Sequence, residues 1–307
     1  MGSRGAEITI AGAFGLFALL LSMWLPTLQH LIGLWQVPTY FHGFLVPIVS
    51  LWLIHDGWRR DEHFTGWPLA LLGVAGASLL YLAAGQLDVI TLQHIALAGA
   101  LISLAALVFG RAFAVRHRFA LLFLFCAVPM GESLTPLLQE LTIGAIINTL
   151  DVLRIPAARV GQVIRTEPGD FHVVEACAGL QYLVAMAVTG ILLAHLLYLN
   201  RSKQLVLMIL ALTVPILANW VRAITLVLVA VHSDFAFGTG TAHTILSWGM
   251  FGAVMAVVFV VAFMTADKDA GGGAPRRPEP AMAPVHRPRP ALWLAAGGMV
   301  AVAGGLA

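Results

Sequence analysis

Charged residues are scarce in this chain. Of its 307 residues only 10% are Asp, Glu, Lys or Arg, whereas 60% are hydrophobic, and the mean hydropathy is +0.90. Soluble domains carry about 25% charged residues, so the composition excludes a water-soluble globular protein and predicts a polytopic protein of the lipid bilayer. The net charge of +2 is small and scattered, so no nucleic-acid partner is expected.

Cysteine and the common cofactor motifs are nearly absent as well. The two cysteines are Cys126 and Cys177. The sequence leaves open whether they form a disulfide. Cys126 lies in the apolar run 121–126, a position typical of a small packed residue. The sequence has no phosphate-binding glycine loop, no internal repeat and no closely spaced Cys and His pair. We therefore expect neither a metal nor another cofactor.

Long apolar segments dominate what is present. A membrane helix needs roughly 20 mostly apolar residues. On that rule spans are expected near 8–28, 41–55, 68–86, 90–110, 119–130, 177–199, 205–231, 243–265 and 291–307. The second and fifth are short. The predicted fold is therefore all-α, a polytopic helical membrane protein with about eight to nine transmembrane helices.

Lysine and arginine predict the orientation, because they concentrate on the cytoplasmic side of membrane proteins. With the N-terminus inside, 13 of the 17 basic residues fall on that side. The other four are Arg154, Arg159, Arg165 and Arg222. Residues 131–176 and 232–242 are then expected to face outward.

The outward segment 131–176 is long enough to have structure of its own. Residues 137–153 predict a helix that lies in the membrane interface, since polar or small residues share one helical face. Those residues are Glu140, Gly144, Asn148 and Asp151.

Alternating residues follow this helix, at 160–166 and 171–174. Between them, Pro168 and Gly169 are typical of the two central positions of a type II turn. The sequence therefore predicts a small outward-facing insertion of one helix and one β-hairpin, which leads the chain into Cys177.

Composition changes abruptly after residue 265. We expect a transmembrane domain over 1–265, a flexible cytoplasmic linker rich in Gly, Pro and Arg over 266–290 and a final transmembrane helix over 291–307. That helix ends without flanking polar residues, so we expect it to lead to an outward C-terminal domain beyond residue 307.

Cys177 lies in the stretch 175–180, where a polar loop meets a long apolar segment. A thiol at that border is close to both water and lipid. In the first turn of a helix the helix dipole favours the thiolate, so Cys177 is a candidate nucleophile. Gly179 permits the close approach of another helix or of a substrate backbone.

Arg222 lies inside the next apolar segment. An arginine at mid-membrane costs on the order of 2.5–3.5 kcal/mol on insertion scales, so it needs a partner or a water-filled cavity. It lies about ten residues, roughly 15 Å, from the outward end of its helix. We interpret it as a functional residue. The alternatives are an arginine that snorkels to the interface or one that pairs with a carbonyl to lock helices together.

His243 begins the following segment, where an imidazole can reach both water and the thiol. Three reactive side chains at three successive outward edges indicate a cysteine active site. His172 and Glu175 precede the thiol and are candidates for substrate contact. The interpretation that they are solvated loop side chains stays open.

These residues resemble the motifs of the exosortases, membrane-embedded cysteine transpeptidases of Gram-negative bacteria. The family pattern is Ala-Cys-x-Gly-Leu at the start of a span, Asn-x-x-Arg in the next and His at the start of the third. Here the motifs are residues 176–180, residues 219–222 and His243. Ala178 stands where much of the family has serine, so no hydroxyl is available there.

The resemblance implies a function and a set of roles. Cys177 would be the nucleophile, His243 the acid and base, and Arg222 the stabiliser of the thiolate or oxyanion, while Asn219 and Gly179 would contact substrate. The substrates would be exported proteins with a PEP-CTERM sorting signal, processed at the periplasmic face of the cell inner membrane in connection with exopolysaccharide and biofilm production. The linker and last span resemble the exosortase A subtype.

A non-enzymatic carrier or scaffold of an exopolysaccharide export system is the alternative. A transporter is expected to show inverted repeats or broken helices in matching halves, and the sequence shows no such symmetry.

Overall fold

The protein is mostly helical. A computed structural model describes residues 24–58, 66–167, 169–233 and 240–267, except for the side chains of Ala176 and of residues 240–248. The described residues form two compact units, 24–130 and 131–267.

Six α-helices make up the first unit in the described residues. They are α1 (Leu25–Leu34), α2 (Leu45–Asp56), α3 (Ala70–Gln86), α4 (Ile90–Phe109), α5 (Arg111–Arg116) and α6 (Arg118–Phe123), with 3-10 helices at Pro38–Phe44 and Leu124–Ala127. Helices α3 and α4 form the closest pair, and small buried residues such as Ala77 and Ala100 allow their backbones to approach. The predicted spans 68–86 and 90–110 match these two helices to within two residues.

Two other predicted spans are wrong at one end. Helix α2 begins at Leu45 rather than at residue 41, because Pro47 would clash with the carbonyl four residues before it in a longer α-helix. Helix α6 ends at Phe123, and the chain is already extended at Val128, short of the predicted end at residue 130. Pro129 follows Val128, and the residue before a proline disfavours helical backbone.

The second unit contains four helices and a small sheet. The helices are α7 (Thr135–Val152), α8 (Leu180–Leu197), α9 (Arg201–His232) and α10 (Gly240–Met264), with 3-10 helices at Glu132–Leu134 and Glu175–Cys177. Helix α7 packs on α9 through Ile143, Ile146 and Val227. Helix α8 packs on α10 and on α9, and its Gly190 lies against Ala211 of α9. The predicted polar face of α7 is the exposed one at Glu140, Asn148 and Asp151.

The sheet has three antiparallel strands, β1 (Ala157–Val160), β2 (Val163–Thr166) and β3 (Gly169–His172), in that order. The predicted single strand over 160–166 is wrong, because Gly161 has a φ of +62° and turns the chain between β1 and β2. Gly169 of β3 pairs with Thr166 of β2, and the Gly169 carbonyl accepts a hydrogen bond from the Thr166 hydroxyl at 2.8 Å. Pro168 of the predicted type II turn lies outside the described residues.

Three helices in the described part of the chain are long and apolar enough to cross a membrane, namely α4, α8 and α9. A fourth is present if the helices on either side of the break after Ala127 form one span. Less than half of each of the three is buried within the protein, which leaves apolar surface for lipid. The protein is therefore a helical, multi-pass membrane protein, and the count of eight to nine spans stays a prediction. The predicted span 291–307, most of the linker 266–290 and residues 8–23 lie outside the described residues.

Candidate active site

Cys177 lies in the 3-10 turn Glu175–Cys177, between β3 and α8. Its backbone N–H donates to the carbonyl of Val174 at 2.8 Å, and the half-buried side chain packs against the core between α7 and α9. We expected Cys177 in the first turn of a membrane helix, and that prediction is wrong, because α8 begins three residues later at Leu180. Both cysteines are free thiols, so the disulfide left open by the sequence is not formed.

Gly179 explains why the helix begins where it does. It is the N-cap of α8 and has a φ of +78°, a left-handed conformation that separates the cysteine turn from the helix. A Cβ added to Gly179 would lie 2.5 Å from Cγ of Asn219. The glycine therefore allows the cysteine turn to rest directly on the Asn219 side chain of α9.

Arg222 is buried inside α9, with 4% of its surface exposed. It lies ten residues before the end of the helix at His232, and its side chain does not reach the surface by snorkelling. Its Nη1 donates to Oδ1 of Asn219 at 3.2 Å, and its Cζ lies 5.7 Å from the centre of the Tyr182 ring. An arginine at this depth needs such partners, and an amide and an aromatic ring are two of them here.

Asn219 connects the cysteine turn to the arginine. Its side chain is 2% exposed, and its Nδ2 donates to the backbone carbonyl of Cys177 at 2.9 Å and to Oγ1 of Thr142 at 3.3 Å. Its Oδ1 accepts from Arg222. Two of the three predicted motifs therefore meet through one amide.

Helix α7 supports the cysteine segment with two buried residues that the sequence analysis did not select. Thr142 accepts from Asn219, as described, and Gln139 donates to the carbonyl of Val173 and accepts from Nε2 of Gln162 at 3.2 Å. The two lie three residues apart on one helical face. In the sequence, two polar residues three positions apart are the signal for this support, but the same pattern is equally typical of a solvated helix face.

A small recess opens beside Arg222, between α8, α9 and α10. Besides Arg222 and Asn219, its walls are mainly apolar or aromatic: Tyr182, Pro215, Ala218, Phe251 and Val254. Tyr182 stacks on Phe251 with ring centres 4.9 Å apart. The guanidinium therefore faces a poorly polar space, where its electrostatic effect on a nearby group is larger than in water.

The other predicted site residues lie at different positions. His243 belongs to the first turn of α10 by its backbone, and its side chain lies outside the described residues. His172 at the end of β3 and Glu175 in the cysteine turn are both exposed. Their positions fit substrate contact and solvation equally well.

Two of the arginines that are predicted to face outward form ion pairs within the insertion. Arg159 of β1 donates to both carboxylate oxygens of Glu140 on α7, each at 2.6 Å, and Arg165 lies 3.5 Å from Asp170 across the β2–β3 pair. Both pairs are exposed and help to hold the strands in place. In the described part of the chain, no group of three or more His, Cys, Asp or Glu residues could hold a metal ion.

Comparison with known proteins gives one family. The family model for transmembrane exosortases matches residues 35–260, about three quarters of the chain, and this range includes Cys177, Arg222 and His243. Neither curated proteins nor solved structures give a match. The match confirms the resemblance that the three motifs indicated, and the chain belongs to the transmembrane exosortase family.

Proposed function

We propose that the protein is a membrane-embedded cysteine transpeptidase or protease that cleaves the PEP-CTERM sorting signals of exported proteins. It acts in the cell inner membrane, with its active site facing the periplasm, and serves exopolysaccharide and biofilm production. The observation that carries this proposal is the Asn219 amide, which is hydrogen-bonded to both the Cys177 carbonyl and the Arg222 guanidinium. The turn that carries the proposed nucleophile and a buried positive charge are thereby linked through one side chain.

The proposed reaction is acyl transfer through a thioester. The Cys177 thiolate attacks a peptide carbonyl near the membrane anchor of the substrate, which forms a carbon–sulfur bond and places negative charge on the carbonyl oxygen. The intermediate then expels the leaving amine, which takes a proton from His243. An amine or water then attacks the thioester and gives its proton to the now neutral His243. The Cys177 thiolate leaves, which restores the starting pair of thiolate and protonated imidazole.

Arg222 suits the role of charge stabiliser because its guanidinium stays protonated in poorly solvated surroundings. The apolar recess lowers the local dielectric, and a fixed charge in such a site stabilises an oxyanion more strongly than one in water. Tyr182 and Asn219 hold the guanidinium in place, so little reorganisation is needed during the reaction.

Substitution of the cysteines tests the proposal. Cys177→Ala and Cys177→Ser are expected to abolish processing of a reporter that carries Pro-Glu-Pro, an apolar segment and an Arg-rich tail, because a serine hydroxyl is far less acidic than a thiol. His243→Ala is expected to cause a similar loss, since members of one catalytic unit fail together. Trapping of a covalent substrate adduct on Cys177 would identify the nucleophile directly.

Cys126→Ala is the matched control, because Cys126 is the other free thiol and lies in the 3-10 helix Leu124–Ala127 of the first unit. It is expected to process the reporter like the parent. If Cys177→Ala matured the reporter at matched expression, the enzyme proposal would be wrong and the carrier or scaffold alternative would stand.

A further inference from the structure

We infer that Asn219 is a positioning residue, whose amide holds the Cys177 turn and the Arg222 side chain in one geometry, and that Thr142 fixes this amide from α7. The inference deepens the proposed function and assigns Asn219 a role other than the substrate contact that the sequence favoured. It rests on four hydrogen bonds among buried groups, together with the space left by Gly179.

Every hydrogen-bonding atom of the Asn219 amide has a partner. An asparagine side chain has two N–H donors and one carbonyl acceptor. Here one donor is directed to the Cys177 carbonyl and the other to Thr142, and the oxygen accepts from Arg222. Because all three sites are used, a water or substrate group that bonded to this amide would displace one of its three partners.

The partners also determine the orientation of the amide. If the amide were rotated by half a turn, its NH2 group would face the N–H donor of Arg222 and its oxygen would face the Cys177 carbonyl. Both contacts would be repulsive, and both Asn219 and Arg222 are at most 4% exposed, so water cannot relieve them. One amide orientation therefore defines where the cysteine turn and the guanidinium lie relative to each other.

Thr142 connects this amide to the insertion. Its hydroxyl is fully buried, donates to the Leu138 carbonyl one turn back in α7 at 2.8 Å and accepts from Asn219. The donated bond leaves an oxygen lone pair directed away from the α7 backbone, toward α9. Helix α7 also holds Val173 through Gln139. Val173, which precedes the cysteine turn, is thus bonded to α7 directly, and the Cys177 carbonyl is linked to α7 through Asn219.

Conservative variants of Thr142 test the inference in the full-length protein. In a Cys126→Ala background Cys177 is the single thiol, and its alkylation by iodoacetamide is followed alongside reporter processing. Thr142→Val keeps the shape of the side chain and removes the hydroxyl. The variant loses the hydroxyl's bonds to both Leu138 and Asn219. Loss of the Asn219 bond, at ordinary strength, predicts a roughly three- to tenfold fall in kcat with KM unchanged. Alkylation is expected to become faster by a similar factor, because a loosened turn exposes the half-buried thiol.

Two further variants of threonine separate positioning from a general effect on folding. Thr142→Ser restores the hydroxyl and is expected to recover both parent values. Thr149→Val is the matched control, because Thr149 makes the same bond to a carbonyl one turn back in α7, that of Ala145 at 2.8 Å, two turns away from Thr142. It is expected to leave kcat and alkylation at parent values.

Asn219→Asp provides an independent test. The carboxylate keeps an oxygen for Arg222 but has no N–H group for the Cys177 carbonyl or for Thr142. We expect it to lose at least as much kcat as Thr142→Val. Parent-like kcat in this variant would show that Asn219 serves Arg222 alone and would overturn the inference.

The outcomes distinguish the inference from the proposed function. An alkylation rate in Thr142→Val that stays equal or falls, or an equal rise in Thr149→Val, would overturn the positioning role whether or not the protein is a transpeptidase. Reporter processing by Cys177→Ala would overturn the proposed function, while faster alkylation in Thr142→Val would still support the placement of the cysteine turn by Asn219.

Discussion

Gly179→Ala is the substitution for which the structure predicts the largest effect from the smallest change. The added methyl group would lie 2.5 to 2.9 Å from three atoms of the Asn219 side chain, and Gly179 has a φ of +78°. A left-handed conformation costs an L-residue roughly 1–2 kcal/mol. The clash also displaces the amide from Cys177 and Thr142, and each lost hydrogen bond costs about 1 kcal/mol.

These contributions add to about 3–4 kcal/mol, which corresponds to a loss of roughly two to three orders of magnitude in kcat/KM if it acts on the reactive geometry. The assay is processing of the reporter by purified protein in lipid, with size-exclusion chromatography to show that the variant is folded. Gly161→Ala is the matched control. Gly161 has a φ of +62° and no atom within 4 Å of an added Cβ, so it shares the backbone strain and lacks the clash.

We expect Gly161→Ala to process the reporter within about threefold of the parent, since its strain falls on an exposed turn. Equal losses in the two variants would refute the reasoning, because strain alone would then explain both. The double variant Gly179→Ala with Asn219→Ala is expected to lose less than the sum of the two single losses, since both changes remove the same contacts of the Asn219 amide.

Three further outcomes are expected. Arg222→Lys is expected to be nearly as damaging as Arg222→Ala, because lysine keeps a charge but loses the planar fork of donors; near-normal reporter processing would show that charge alone suffices. Tyr182→Phe is expected to keep activity and Tyr182→Leu to lose roughly fivefold in kcat, because only phenylalanine keeps a ring beside the guanidinium. The Pro-Glu-Pro stretch at 278–280, outside the described residues, is expected to remain uncleaved on the cytoplasmic side; labelling of Glu279→Cys from the outward side would contradict this.

Much of this protein can be predicted from its composition and from the order of its motifs along the chain. The scarcity of charge requires a membrane solvent, because long apolar segments cannot be covered within a protein of this size. The order of Cys177, Arg222 and His243 along three successive apolar segments indicates the family, and the family model confirms it. Helices α3 and α4 are predictable in position because each is a simple apolar run bounded by polar or turn residues.

Local backbone chemistry explains where the prediction of elements fails. Pro47 and Pro129 limit the helices beside them, and Gly161 and Gly179 turn the chain in the left-handed region. These prolines and glycines are visible in the sequence. They are overlooked, however, when hydropathy alone is used to predict where each helix begins and ends. Hydropathy therefore predicts Cys177 inside a helix, whereas in the structure Gly179 separates Cys177 from α8.

The partners of the candidate site residues were decided by the tertiary structure alone. The sequence indicates that Arg222 needs a partner, but an amide three residues away, an aromatic ring on α8 and a lipid-facing position are all compatible with the same apolar pattern. In the sequence, Thr142 is likewise only one polar residue on a partly polar helix. Its hydroxyl supports the cysteine turn because α7 packs against α9 at that level, and this depends on side-chain shapes far apart in the chain rather than on local preference.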